Sequence, residues 1–163
     1  MQNDISQVIG KTLLENKYRL ITAESCTAGL IASTVAETSG SSQWLEGGFI
    51  VYTPETKHQF LGVSYDTIEK YDITSEEVAY QMAEGALENS YLANVAIAVT
   101  GVAGPNGGTK EIPVGTVCIA WARVYGEHIQ VITEKCFFEG NRNEIREKVV
   151  QYSLEKLNTL LAK

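Results

Sequence analysis

Short apolar segments with strand character alternate with amphipathic helical segments over most of this 163-residue chain. The most apolar, residues 95–99, is a continuous run of Val, Ala and Ile, typical of a central strand covered on both faces. Residues 115–124 and 128–138 then predict two long strands joined by a tight turn, hence an antiparallel hairpin. This order predicts an α/β fold: a three-layer α/β/α sandwich whose mixed sheet combines parallel strands with a carboxyl-terminal hairpin.

The periodicity also places the other elements. A first helix ends near Asn16 and has a buried stripe made of Ile5, Val8, Ile9, Thr12 and Leu13. Further helices are predicted around residues 30–35, from Pro54 onward behind a Thr53 N-cap, over 74–89 and over 141–161. The two early strands are predicted over residues 18–22 and 47–52.

Composition and charge exclude several classes of protein. The length fits one compact domain, residues 1–163. A net charge of −7 disfavours a nucleic-acid surface, which needs clustered Lys and Arg. No apolar stretch approaches the roughly 20 residues of a membrane span, and the first residues lack the pattern of a signal peptide, so we expect a cytoplasmic protein. Its three cysteines lack metal-ligand spacing, which disfavours both a disulfide framework and a metal site.

A serine follows the first predicted strand, where the chain turns toward a helix. Ser25 is predicted near the N-terminus of that helix. There, unpaired backbone N–H groups and the positive end of the helix dipole stabilise an anion or the oxyanion of an attacked carbonyl. The alternative is that Ser25 or Thr27 only caps the helix.

A glycine-rich loop, residues 100–108, follows the most apolar strand. Ligands bind at the carboxyl ends of strands in α/β sheets. Four glycines free the backbone of this loop to form an anion nest. The alternative is a flexible connection to the hairpin, because the loop lacks both the Walker pattern and the GxGxxG spacing.

Two residues after the second predicted strand could accept a proton from Ser25. These are Lys57 and His58, and the spacing does not choose between them. Only two histidines occur, neither with an evident Asp partner, so a Ser-Lys pair is favoured over a Ser-His-Asp triad. A lysine pKa of about 10.4 would leave Lys57 protonated, so this hypothesis requires burial or nearby cations. The alternative is a solvated surface lysine.

Cys26 and two arginines also have competing interpretations. Cys26 could replace Ser25 as nucleophile, but adjacent helical residues point about 100° apart, so at most one should line the pocket. Cys26 could equally be a buried structural residue. Arg142 and Arg146, near the start of the last helix, could grip a phosphate or pair with a surface glutamate.

Several segments together carry a family resemblance. They are Ala23-Glu24-Ser25-Cys26-Thr27-Ala28-Gly29, Gly40-Ser41-Ser42, Gly48-Phe49-Ile50-Val51-Tyr52, Lys57, the loop from Thr100 to Gly108, and Pro113-Val114-Gly115-Thr116-Val117. In this order and spacing they strongly resemble the carboxyl-terminal domain family of the competence/damage-inducible protein CinA. The resemblance covers essentially the full chain.

The resemblance implies a nicotinamide-nucleotide amidase, which releases ammonia from nicotinamide mononucleotide in pyridine-nucleotide salvage. It implies Ser25 as nucleophile and Lys57 as its partner, with Tyr52 also in the catalytic set. The expected substrate-binding residues are Cys26, Thr27, Thr100, Gly101, Gly104, Gly107, Gly108 and Arg142. No cofactor or metal is implied, and the expected partners are the small-molecule substrate and further copies of the chain. The alternative is an inactive module that binds a pyridine nucleotide or a partner.

Overall fold

A computed structural model describes residues 2–162, with side chains described from Ile5 onward. Six α-helices and five strands lie within these residues. The helices are α1 Gln2–Glu15, α2 Leu30–Val35, α3 Pro54–Leu61, α4 Tyr65–Tyr71, α5 Glu76–Glu88 and α6 Arg142–Leu161. The strands are β1 Leu20–Glu24, β2 Leu45–Ile50, β3 Val95–Gly101, β4 Thr116–Tyr125 and β5 His128–Phe137. None of the helices in this part of the chain is long and apolar enough to span a bilayer.

The strands form one mixed sheet, which confirms the predicted fold class. Its order is β2-β1-β3-β4-β5. Strand β1 is parallel to both of its neighbours, β2 and β3, whereas β4 is antiparallel to β3 and β5. Helices α1, α2 and α6 cover one face, and α3 and α5 lie on the other.

The central strand β3 explains why both faces must be covered. Its residues from Val95 to Thr100 are all buried. Val95, Ile97 and Val99 point into the core beneath α1 and α6, while Ala96 and Ala98 point into the core beneath α5. This alternation follows from the two-residue period of a strand. The small side chains on the α5 side let that helix approach the sheet closely.

The element boundaries differ from the predicted ones where pairing overrides local composition. Strand β1 begins at Leu20, where pairing with β2 and β3 starts, and extends to Glu24. Val8 belongs to the predicted buried stripe of α1 but is 44% exposed, so that prediction is wrong for this residue. Helix α4 was not predicted because it buries none of its residues and therefore shows no apolar stripe.

The parallel strands bring three distant segments to one edge of the sheet. The chain leaves β1 at Ser25, leaves β2 toward α3, and leaves β3 into the glycine-rich loop. The N–H of Ser25 donates to Val99 O of the neighbouring strand at 3.1 Å, which ties the residue after β1 to β3. Residues from these three connections therefore meet at the carboxyl edge, as α/β sheets generally arrange their ligand sites.

Candidate active site

A cleft of about 260 Å³ opens at the carboxyl ends of β1 and β3. Most residues predicted for the site line it: Ser25, Cys26, Tyr52, Lys57, Thr100, Gly101, Gly104, Gly107 and Arg142. The other lining residues were not among those predicted: Ile73, Thr74, Val102, Ala103 and Asn106. Thr27 and Gly108 lie outside the lining. Thr27 is fully buried and donates its hydroxyl to Glu24, whereas Gly108 packs against the backbone of Val114.

Ser25 and Lys57 are in hydrogen-bond contact. Lys57 Nζ lies 2.8 Å from Ser25 Oγ. The same nitrogen lies 2.9 Å from Val51 O and 3.4 Å from Tyr52 O. Thr53 and Pro54 start helix α3 directly after these carbonyls, with a capping box formed by Thr53 and Thr56, so Lys57 falls in the first turn and reaches back to the sheet. His58 instead places Nδ1 2.8 Å from Val63 O and stacks on Tyr65.

Burial changes the acidity of Lys57. The residue is only 1% exposed, and this desolvation lowers its pKa from 10.5 to about 8, against a smaller opposing electrostatic effect of Cys26. A buried ammonium is disfavoured because it loses hydration. Lys57 carries no salt bridge among the described residues. A neutral amine beside a serine hydroxyl is therefore accessible near physiological pH.

Cys26 lines the cleft together with Ser25, contrary to the expectation that only one of the two would do so. The expectation assumed helical geometry, but both residues belong to an irregular turn. Burial raises the pKa of the Cys26 thiol to about 11, so the thiolate is disfavoured at neutral pH. Lys57 Nζ contacts the hydroxyl of Ser25 and not the thiol.

Ser25, predicted near the N-terminus of this helix, lies in a turn of residues 25–29 that directly precedes it. Helix α2 begins at Leu30. Ala28 and Gly29 adopt positive φ values of 47° and 96°, and this left-handed backbone stops the helix from extending back to Ser25.

The N-terminus of α2 is already used by Glu24. This fully buried carboxylate accepts hydrogen bonds from the backbone N–H groups of Gly29, Ile31 and Ala32 at 2.9–3.2 Å. The hydroxyls of Thr22 and Thr27 donate to it as well. Those amide groups are therefore not available to a substrate oxyanion, and Glu24 instead ties the turn that follows Ser25 to the helix.

We expect Glu24→Gln to lower the free energy of unfolding by about 2–3 kcal/mol. The amide keeps one acceptor oxygen but turns N–H donors toward groups that are themselves donors, and an unsatisfied buried donor costs about 1–3 kcal/mol. Thermal melts would show a fall of roughly 4–12 °C for a chain of this length. Glu37→Gln, at an exposed position after α2, is the matched control and should stay within about 0.5 kcal/mol of wild type. A melt of Glu24→Gln coincident with that control would contradict the structural role.

Arg142 and Tyr52 close one side of the cleft. Arg142 Nη1 donates to Gly104 O at 2.6 Å and Nη2 donates to Tyr52 Oη at 2.8 Å. These bonds connect α6, the glycine-rich loop and the residue after β2. Two of the five guanidinium donors are engaged in this way, which leaves others for an anionic ligand. Arg142 does not form the alternative surface ion pair among the described residues.

The glycine-rich loop presents unpaired backbone donors to the cleft. Gly104 and Gly107 have positive φ values of 80° and 93°, which orient successive amides in a curved segment. The N–H groups of Ala103, Gly104, Asn106 and Gly107 donate to no other group within residues 2–162. Thr100, just before the loop, donates its hydroxyl to Ile73 O at 2.9 Å and so holds the segment before α5 against the cleft.

Ile73 and Thr74 were not expected in the cleft, because the pattern at Thr74 indicates only the start of a helix. Glu24 was visible as an acidic residue close to a helix start, which is a recognised signal of N-terminal capping. Between residues 2 and 162 no group of three His, Cys, Asp or Glu side chains could hold a metal ion.

The fold and the site define an α/β protein with a buried serine-lysine pair in a cleft at the carboxyl ends of its parallel strands. The chain belongs to the CinA C-terminal domain family, whose model matches residues 2–161. Nicotinamide-nucleotide amidohydrolase PncC from Enterobacter agglomerans is 41% identical over 153 residues, which cover 94% of this chain and 91% of that protein. The protein of the same name from Escherichia coli K12 is 39% identical over 94% of this chain and 90% of its own length.

A solved structure supports the same relationship. The crystal structure of competence damage-inducible protein A from Klebsiella pneumoniae is 32% identical, with a TM-score of 0.92. The match covers 99% of this chain and 97% of that one. The architecture is thus shared over nearly the full length of both chains.

Proposed function

We propose that this protein hydrolyses the carboxamide of nicotinamide mononucleotide to nicotinic acid mononucleotide and ammonia. The observation that carries the proposal is the contact of 2.8 Å between buried Lys57 Nζ and Ser25 Oγ in the cleft. Relatives of nearly the same length, about 40% identical, are named nicotinamide-nucleotide amidohydrolases. A nucleophile with an adjacent base is the arrangement that acyl transfer requires.

When Lys57 is neutral, its three neighbours fit its role as the base. A neutral amine has two N–H donors and one lone pair. The carbonyls of Val51 and Tyr52 can only accept, so they take the two donors. The lone pair is then directed to the third neighbour, the hydroxyl of Ser25. This is the protonation state needed to remove the serine proton.

The reaction proceeds through an acyl-enzyme. Lys57 takes the Ser25 proton as Oγ bonds to the carboxamide carbon, and the resulting ammonium protonates the departing nitrogen, which leaves as ammonia. Water, deprotonated by the same amine, then attacks the ester carbon, and the Ser25 oxygen leaves with the proton returned to it. The products are the carboxylate of nicotinic acid mononucleotide and free Ser25.

Backbone donors near Ser25 would stabilise the tetrahedral oxyanion. The N–H of Cys26 follows the nucleophile, belongs to a cleft-lining residue, and donates to no other group among the described residues. Each such donor contributes roughly 3 kcal/mol in acyl transfer. The start of α2 makes no such contribution in this mechanism, because Glu24 occupies it.

The other end of the cleft suits the phosphate of a nucleotide. Arg142 lines the cleft, and so do Ala103, Gly104, Asn106 and Gly107, whose N–H groups have no partner among the described residues. A guanidinium beside a backbone nest binds a phosphate with charge-assisted hydrogen bonds. Tyr52, bonded to Arg142, would orient that guanidinium.

The test is ammonia release from a panel of three substrates by the purified protein. We expect kcat/KM for nicotinamide mononucleotide to exceed that for nicotinamide riboside by roughly ten- to a hundredfold, since hydrogen bonds to a charged group contribute about 1.5–3 kcal/mol. Free nicotinamide should be the poorest substrate of the three. Equal kcat/KM values for the mononucleotide and the riboside would show that the phosphate is not recognised and would rule out the proposed phosphate site. Tight nucleotide binding without ammonia release from any substrate would favour a binding module.

A further inference from the structure

Arg146 holds the backbone of the turn that carries Ser25. Its Nε donates to Cys26 O at 3.0 Å and its Nη2 donates to Thr27 O at 3.1 Å. These carbonyls belong to the two residues that directly follow the nucleophile. The guanidinium therefore binds two backbone carbonyls, and it forms no ion pair with a carboxylate among the described residues.

The turn of residues 25–29 needs such support. Two internal hydrogen bonds hold it, from Ala28 N to Ser25 O and from Leu30 N to Thr27 O. Ala28 has a positive φ of 47°, which a residue with a Cβ adopts only at a cost. An irregular segment of this kind persists only where surrounding groups fix it.

Two charged side chains hold the turn, each at a different part of its backbone. Glu24 accepts from one N–H of the turn, that of Gly29, and from the N–H groups of Ile31 and Ala32 at the start of α2. Arg146 donates to its carbonyl groups from helix α6, which lies 120 residues further along the chain. Arg146 therefore holds the carbonyls directly after Ser25 and Glu24 holds the far end of the turn, so both ends of the backbone that follows the nucleophile are fixed.

We propose that Arg146 is a positioning residue for catalysis, which acts through the carbonyls of Cys26 and Thr27 to hold Ser25 against Lys57. The proposal rests on the function proposed above. It separates two arginines that lie one turn apart on α6: Arg142 lines the cleft, whereas Arg146 is absent from its lining and is bonded to the nucleophile turn. A misplacement of about 1 Å in reacting groups can cost on the order of a hundredfold in rate.

The test compares Arg146→Met with Arg142→Met, each of which removes a guanidinium from α6. For Arg146→Met we expect kcat to fall by about ten- to a hundredfold with KM changed less than about threefold. For Arg142→Met we expect KM to rise by about tenfold or more. Lys148→Met, at an exposed position of the same helix, is the control for charge removal alone and should behave as wild type. Arg146→Lys retains the charge and N–H donors but not the planar fork that reaches both carbonyls, so its kcat should lie between wild type and Arg146→Met.

Peptide-resolved hydrogen exchange provides a second readout that does not depend on activity. In Arg146→Met the amides of residues 26–32 should exchange at least about tenfold faster than in wild type, while Arg142→Met and Lys148→Met leave them unchanged.

If the wild type released no ammonia from any substrate, the proposed function would fail, and the exchange data would still decide whether Arg146 holds the turn. Unchanged kcat and exchange in Arg146→Met would overturn the proposal. A rise in KM alone would also overturn it, because Arg146 would then be a substrate ligand. Should Arg146→Met not fold, Arg146→Lys carries the same comparison.

Discussion

Ser25→Ala is expected to lower turnover of nicotinamide mononucleotide by at least about 10⁴-fold. The variant removes the one hydroxyl that contacts Lys57 Nζ among the described side chains, so neither the attack nor the covalent intermediate is available. Substrate affinity should change little, because the loop amides and Arg142 remain in place. Steady-state ammonia release gives kcat, and titration with the mononucleotide under non-turnover conditions gives Kd for the variant.

Cys26→Ala is the matched control for this experiment. It removes the neighbouring thiol from the same turn and the same cleft. We expect this variant to retain turnover within about tenfold of wild type. The pKa of the Cys26 thiol is raised to about 11, so the reactive thiolate is scarcely formed at neutral pH. If Ser25→Ala retained turnover within a few-fold, Ser25 would not be the nucleophile. Loss of activity in Cys26→Ala alone would transfer the role to the thiol.

The sheet could be predicted well because the strands differ in how fully they are buried, and this difference is visible in their composition. Residues 95–99 are apolar on both faces, and β3 is indeed central. The capping box of Asn141 and Glu144 gives the start of α6 correctly. Helix α4 was missed because it rests on the surface of α5 and buries no full side chain. Local composition reports burial and capping, and it is silent where an element has neither.

The candidate site could be predicted as a set of residues but not as a geometry. A serine after β1, a lysine after β2 and a glycine-rich loop after β3 must meet, since the strands are parallel and adjacent. The spacing could not choose between Lys57 and His58, because the two residues are adjacent and the direction of each side chain depends on the folded backbone. Nor could it show that Arg146 bonds to carbonyls 120 residues away, since such contacts depend on tertiary packing.

Lys57→Met is expected to lower turnover by at least about 10³-fold, the typical range for loss of a general base that also protonates the leaving group. Methionine keeps much of the buried stem and removes the amine.

In the wild type, log(kcat/KM) should rise with unit slope below pH 8 and level off above it, because Lys57 is active when neutral and burial lowers its pKa to about 8. Ammonia release measured across this range gives the profile. A flat profile through pH 8, or substantial turnover by Lys57→Met, would contradict a neutral lysine base.

The same lowered pKa has a consequence for stability that does not depend on turnover. Lys57 titrates near pH 8 in the folded protein and near 10.5 when unfolded, so between these values the unfolded chain binds more protons and the free energy of unfolding rises with pH. The buried thiols act in the opposite sense above pH 9, because their raised pKa values make the folded chain keep protons that the unfolded chain gives up. Wild type and Lys57→Met both contain those thiols, so the effect of the thiols cancels when the two proteins are compared. From pH 7 to pH 10.5, the free energy of unfolding of wild type should therefore rise by about 3 kcal/mol relative to that of Lys57→Met. Urea unfolding of both proteins across this window measures it. A constant difference would mean that Lys57 keeps an ordinary pKa in the fold and that the amine beside Ser25 stays an ammonium up to about pH 10.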